Sequence, residues 1–262
     1  MAATDIAAFV GPYPYRYVQQ AATADWLLLQ MDRLGIARAW VGYLPSILHK
    51  DPALGNAALE EIVAPHHDRL LPTPTLHPGR PRFEDDLNAA IAMGAPAVRL
   101  FPQYQGLDPA GAEMRVATTA LGVAGLPAVL TVRIEDARQR HPADLAPEFP
   151  AAAVRTLIRN DRDVRLLVVH ADRAFIEEVH FGLTPDEAGR VLWDISWLWG
   201  PPEDHLGILL GTVGHERFAF GTGMPLRIPD AVVAKLDLSD LPAAVRDDIE
   251  GGNLERWRGR TG

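Results

Sequence analysis

The sequence predicts one closed α/β barrel of eight strand–helix units, a (β/α)8 fold, with residues 1–262 forming a single domain. Three observations carry that reading. Strand-length apolar runs alternate with helical stretches from end to end. Eight such units in 262 residues average about 33 residues each, the length of a βαβ repeat. Runs such as Leu166-Leu167-Val168-Val169 suit parallel strands covered on both faces. An open doubly wound sheet shows the same alternation. No glycine-rich phosphate turn follows the first strand, however, and this favours closure.

The elements follow in order. Ile6–Val10 reads as the first strand. Thr23 caps a helix whose apolar Trp26, Leu27, Leu29, Met31 and Leu34 recur near the 3.6-residue period, and Gly35 stops it. Ile36–Leu44 is the second strand, and Asn56–Ala64 is a helix closed by Pro65. Leu70–His77 is the third strand, interrupted by Pro72 and Pro74, which have no N–H for a ladder. A helix at Glu84–Met93 ends at Gly94, before a fourth strand at Ala97–Phe101. Ala112–Val123 is helical, Gly125-Leu126-Pro127 punctuates it, and Ala128–Ile134 is the fifth strand. Helix Ala151–Arg159, strand Val164–Val169 and the short helix Ala174–Phe181 come next. Val191–Ser196 is the seventh strand, Asp204–Val213 a helix, Phe218–Phe220 the eighth strand, and Asp240–Ile249 the closing helix. The long irregular stretches are Gly11–Ala22, Glu135–Pro150, Trp197–Glu203 and Thr222–Leu238. All follow strands, which places them on the C-terminal face, where barrel active sites sit.

Composition removes several functions. The chain has 25 basic and 34 acidic side chains, a net charge of −9, which argues against a nucleic-acid binder, whose mark is a basic face. No apolar run approaches a membrane span, and the first residues lack the pattern of a signal peptide, so a cytoplasmic location is expected. Without cysteine there is no disulfide framework, thiolate nucleophile or thiolate metal site. No Gly-x-Ser-x-Gly elbow and no P-loop lysine occur. Lys50 and Lys235 are the only lysines, and neither sits at an expected strand end, against Schiff-base chemistry. Nine histidines leave a His/carboxylate metal site to be tested.

Several segments resemble the amidohydrolase-related family of TIM barrels, which includes metal-dependent hydrolases and decarboxylases. Asp5-Ile6-Ala7-Ala8-Phe9-Val10-Gly11 stands where that family opens with Asp-x-His-x-His-x-Gly. Gly94–Leu100 looks like its fourth-strand segment; Gly125–Leu130 and Val164–His170 look like strands that normally end in histidine. Glu216–Pro225 is similar to its Glu-Arg-hydrophobic-hydrophobic-Phe-Gly-Ser-Asp-x-Pro, and Ile249–Asn253 to its closing Ile-x-Gly-x-Asn turn. The resemblance runs in order along nearly the whole chain and implies an amidohydrolase-like TIM barrel. The departures fall on the ligands. Ala7, Phe9, Thr131 and Gly223 occupy four ligand positions, and only His170 stands where a ligand would. One imidazole does not hold a catalytic metal. The expectation is therefore no metal and no cofactor. A site rebuilt from His77, His141, Asp136, Glu135 and Asp172 remains an alternative, although no pair has ligand spacing.

What remains in the mouth is more apolar, with polar residues at strand ends. Arg99 and Arg133 come from neighbouring strands; with Arg227 they form a candidate clamp for an anionic substrate. The alternative is that each arginine pairs with a loop acid such as Glu135 or Asp136. His170 and Asp172 share strand parity and are the candidate catalytic pair for proton transfer. Tyr15, Tyr43 and Trp197 are candidate binding residues on the loops, alongside Arg16, Tyr104 and Trp199, and Asp194 and Ser196 end the seventh strand.

Three functions stay open. The preferred one is a metal-independent hydrolase, isomerase or decarboxylase acting on a small carboxylate-bearing substrate. The second is an inactive homologue that binds a ligand or partner protein. The third is a metal hydrolase with relocated ligands. Barrels of this type commonly form homodimers, though nothing in the sequence reads the oligomeric state.

Overall fold

The computed structural model describes residues 2–16 and 23–259; Met1 and the 17–22 part of the first irregular stretch lie outside the described residues. The strands are β1 (Ala3–Val10), β2 (Ile36–Tyr43), β3 (Leu70–Pro72), β4 (Thr75–Leu76), β5 (Val98–Leu100), β6 (Ala128–Thr131), β7 (Leu166–Val169), β8 (Val191–Asp194) and β9 (Phe218–Ala219). Every pairing is parallel, in two ladders ordered β1-β2-β3 and β4-β5-β6-β7-β8-β9.

The break falls where Pro72 and Pro74 interrupt the third barrel strand. Neither can donate to a ladder, so β3 pairs only with β2 and β4 only with β5. The wall stays continuous through single bonds: the Thr73 N–H donates to Val41 O (2.8 Å) and the Arg99 N–H to Pro74 O (2.8 Å). At the other seam, the Ile6 N–H donates to Phe220 O (3.1 Å) and the Phe9 N–H to Met224 O (2.9 Å). The buried Asp5 carboxylate reinforces this seam, accepting from the Ala7 N–H (2.9 Å), the Thr222 N–H (3.0 Å) and the Thr222 hydroxyl. The barrel is thereby closed.

Alternation along the strands sorts the core. Trp40, Val129, Leu167, Leu192 and Ala219 fill the interior, and Val41, Leu130, Val168, Trp193 and Phe218 face the surrounding helices. The helix Asn253–Arg258 plugs the N-terminal end with Leu254 and Trp257. Asn253 fixes it by donating to the carbonyls of His215 (2.7 Å) and Phe218 (2.8 Å).

The first helix runs Ala24–Leu34 with the expected ends: Thr23 accepts from the Trp26 N–H, and Gly35 is left-handed at φ 70°. Three expectations need correction. Thr222–Leu238 is not irregular throughout, because Pro229 at its first turn opens a helix over Pro229–Leu238. The helix expected at Asp204–Val213 is α-helical only over His205–Leu209 and then widens into a π turn at Leu210–Gly214. The closing helix starts at Ala243, not Asp240, whose φ of 43° lies outside the right-handed region. No helix among the described residues is long and apolar enough to cross a membrane.

Candidate active site

The mouth is built on an apolar floor of Phe9, Tyr13, Leu44, Ile47, Phe101 and Leu226. His170 directly follows β7 above it. Because Leu167 and Val169 face the interior, strict alternation would send His170 outward. Its φ of 61° breaks that alternation. The left-handed region costs a non-glycine residue roughly 1–2 kcal/mol, so the conformation must be held by its neighbours. Two anchors hold it. The His170 N–H donates to Asp194 Oδ1 (2.8 Å), and Nδ1 lies 2.9 Å from Arg133 O. A carbonyl only accepts, so Nδ1 carries the proton and Nε2 keeps its lone pair. Nε2 is buried and has no hydrogen-bond partner among the described residues. Burial holds the imidazole down to about 3, below its ordinary range; the Arg133 carbonyl opposes this, and Arg227, Arg99 and Arg133 add to it. His170 is therefore neutral across ordinary pH.

The expected His170–Asp172 pair is not formed. Asp172 caps the helix Arg173–His180 by accepting from the Phe175 N–H (2.9 Å), and it binds Arg133 Nη1 (2.6 Å). Burial raises its carboxyl, but these two donors outweigh burial and hold it below the usual range. The carboxylate that seats His170 is Asp194, which also accepts from the Ser196 N–H (3.2 Å). Burial pushes Asp194 up to about 6. The sequence marked Asp194 only as a strand end. Its signal was an acid closing the fully buried strand Val191-Leu192-Trp193-Asp194.

The three arginines part company. Arg99 is wholly buried and spans the interior: Nε donates to Thr73 Oγ1 (2.8 Å), and Nη2 to the carbonyls of Ala8 (3.2 Å) and Trp40 (3.3 Å). Its guanidinium lies 4.2 Å over the Phe9 ring. Gly42 leaves it room, since a Cβ there would meet Arg99 Nε at 2.5 Å. Arg99 is thus a strut across β1, β2 and the third strand, and among the described residues its Nη1 has no partner. Arg133 is bound by Asp172 and by Glu148 (3.0 Å), not by the acids the sequence suggested. Glu135 pairs with Arg16 (3.2 Å) and Asp136 with Arg138 (2.9 Å). Arg227 stands apart: its guanidinium lies 4.0 Å over the Trp197 ring, and no carboxylate among the described residues forms an ion pair with it. Trp197 also lies 5.7 Å from the His170 ring, so indole, guanidinium and imidazole are contiguous.

The remaining candidates are rim. Tyr15 stacks on His141 at 5.5 Å, and Tyr43 packs beneath Gly11. Tyr13 and Tyr104 instead converge on the buried Asp144, whose Oδ2 accepts from both phenols (3.4 and 3.1 Å). Sequence reading gave Asp144 no role, because it sits in a long loop without periodicity.

The residues do not fit a metal ion. Ala7, Phe9 and Gly223 offer no ligand atom, and Thr131 offers a hydroxyl. The alternative donors are committed elsewhere: Glu135, Asp136 and Asp172 to arginines, and the Nδ1 atoms of His77 and His141 to the Gly79 and Ala143 N–H groups. Among the described residues, no group of three His, Cys, Asp or Glu side chains is placed to hold a metal. Three guanidiniums near His170 also oppose a cation there. At the opposite end of the barrel a cleft of about 950 Å³ is lined by Arg165, Arg190 and Trp257, but both arginines are spent on backbone carbonyls.

No protein-family model matches the chain, and no curated protein sequence matches it. Solved structures do. A 2,6-dihydroxybenzoate decarboxylase in complex with 2,6-dihydroxybenzoate superposes with a TM-score of 0.76 at 15% identity, covering 99% of both chains. A dihydroxybenzoic acid decarboxylase from a Polaromonas species, with bound manganese and the inhibitor 2-nitroresorcinol, gives 0.74 at 12% identity, covering 99% of this chain and 98% of that one. A proposed 2-pyrone-4,6-dicarboxylic acid hydrolase from Pseudomonas putida gives 0.68 at 19% identity over 98% and 97%. These structures share the fold of this chain, a TIM barrel.

Proposed function

We propose that this chain is a metal-independent enzyme of the amidohydrolase-like type, acting on a small carboxylate-bearing molecule at the C-terminal mouth by hydrolysis, isomerisation or decarboxylation. The observation that carries the reading is His170: strained, anchored by Asp194 and the Arg133 carbonyl, with an unpartnered Nε2 lone pair. Buried polar atoms are rarely left unpaired, and the exceptions concentrate where a ligand completes them. Arg227 would hold the carboxylate, and Trp197 would supply a flat apolar wall. His170 Nε2 would accept a proton from a substrate hydroxyl or a water. Its low basicity comes from burial and from three neighbouring cations. A bound carboxylate offsets part of that positive field and raises the imidazole toward a working general base. The fold neighbours that act on small aromatic or pyrone carboxylates agree with this substrate class.

The test is turnover by chelator-dialysed protein of a panel of hydroxybenzoates and pyrone carboxylates, followed by ultraviolet absorbance. The expected result is activity that is lost in His170→Ala. Equal activity in that variant would overturn the reading. The complete burial of His170 favours one second reading, a protein that binds such acids without turning them over. Thermal stabilisation by the panel with no turnover over hours is its signature.

A further inference from the structure

Residue 223 is where the resemblance places a metal-binding aspartate, and here it is a glycine at φ +71°. A Cβ built on Gly223 would stand 3.1 Å from His170 Nε2 and 3.0 and 3.2 Å from Arg227 Cδ and Cγ. The aliphatic stem of Arg227 therefore runs through space that a side chain at 223 would need. The turn that folds it back is closed by the Arg227 N–H donating to Gly223 O (3.1 Å). The same arginine ends over Trp197 at 4.0 Å with no ion-pair partner among the described residues, while Arg16, Arg133 and Arg138 each hold an acid.

We infer that Arg227 stands in for the metal ion: loss of the side chain at 223 admits its guanidinium beside His170, where it supplies the fixed positive charge that binds the substrate's carboxylate. This rests on the proposed function and assigns the anchor within it. The physical case is one of charge and geometry. A guanidinium stays protonated at any ordinary pH and offers a planar fork that matches a carboxylate. It also repels a divalent cation from the space next to Nε2. Stacking on Trp197 fixes the fork without neutralising it.

Two binding measurements test this, each with the full chain. Benzoate and 2,6-dihydroxybenzoate are titrated by calorimetry against wild type, Arg227→Met, Arg227→Lys and Gly223→Ala. Manganese and zinc uptake is measured by equilibrium dialysis on wild type and His170→Ala. We expect carboxylate affinity to fall about tenfold or more in Arg227→Met, the loss of one charged hydrogen-bonded contact. Arg227→Lys should recover part of it, because the charge returns without the fork. Gly223→Ala should reproduce the loss by displacing the stem, which a merely structural Arg227 would not require. Wild type should take up no stoichiometric metal. Unchanged carboxylate affinity in Arg227→Met overturns the inference and leaves the proposed function standing. One equivalent of metal on wild type, absent in His170→Ala, overturns the inference too. Failure of wild type to bind any carboxylate overturns the proposed function itself.

Discussion

Gly223 and Arg227 are matched: a Cβ on the glycine would stand 3.0 Å from Arg227 Cδ, and the glycine's φ of +71° is one that side chains rarely adopt. Gly223→Ala is therefore expected to lose about 1–2 kcal/mol from the backbone alone. In a chain of this size that lowers Tm by several degrees. Thermal melts of the variant check it.

Acid sensitivity follows from His170. Its folded pKa, about 3, lies below the unfolded value of 6.5. Between the two the unfolded chain binds a proton that the folded chain refuses, so stability falls as pH drops from 6.5 toward 3. Asp194 acts oppositely. Raised from 3.8 to about 6, it favours the fold when protonated, and that contribution fades as pH rises through this window. The histidine shift is the larger, so the two together leave a net acid-destabilising limb of about 2 kcal/mol over the range. Chemical denaturation from pH 4 to 7 should show the limb in wild type and flatten or invert it in His170→Gln.

Arg99 should behave as a strut, not as a ligand anchor. Removing it takes a donor from the Thr73 hydroxyl and from the carbonyls of Ala8 and Trp40 inside the barrel. Arg99→Met is expected to cost about 3 kcal/mol or more. The molecules that remain folded should bind carboxylates as wild type does. A selective loss of affinity at unchanged Tm would reverse that assignment.

The loop over 135–150 is tied across the mouth at Arg16–Glu135, Arg133–Glu148 and the two phenols on Asp144. Asp144→Ala frees both phenols at a cost of about 1–3 kcal/mol. Limited proteolysis should then cut within the loop faster than in wild type, with smaller change elsewhere in the barrel.

The fold was legible because strand and helix periods are local. Thr23, Gly35, Gly94 and Gly125 mark their boundaries by backbone chemistry that needs no tertiary context. Pro72 and Pro74 marked the weak third strand for the same reason. The helix Pro229–Leu238 was missed because its apolar residues form no clean face, and Lys235 is buried within it. The site was legible only in outline. His170, Arg133, Arg227 and Trp197 do meet at the mouth, but Arg99 and Asp172 turn to structural partners. Asp144 and Glu148 lie on a long loop where sequence carries no directional signal.

By itself the sequence determined a barrel of parallel strands and side chains without a metal-binding atom at Ala7, Phe9 and Gly223, since both follow from residue type and order along the chain. Which guanidinium lacks an ion-pair partner among the described residues was decided only in three dimensions. Arginine side chains are long, and their partners come from other strands, so Arg99 finds carbonyls, Arg133 finds two carboxylates, and Arg227 stacks on an indole with no ion-pair partner among the described residues. The orientation of His170 was decided there as well. Alternation along β7 points it away from the interior, and only the Asp194 carboxylate and the Arg133 carbonyl, from neighbouring strands, hold the left-handed turn that reverses it.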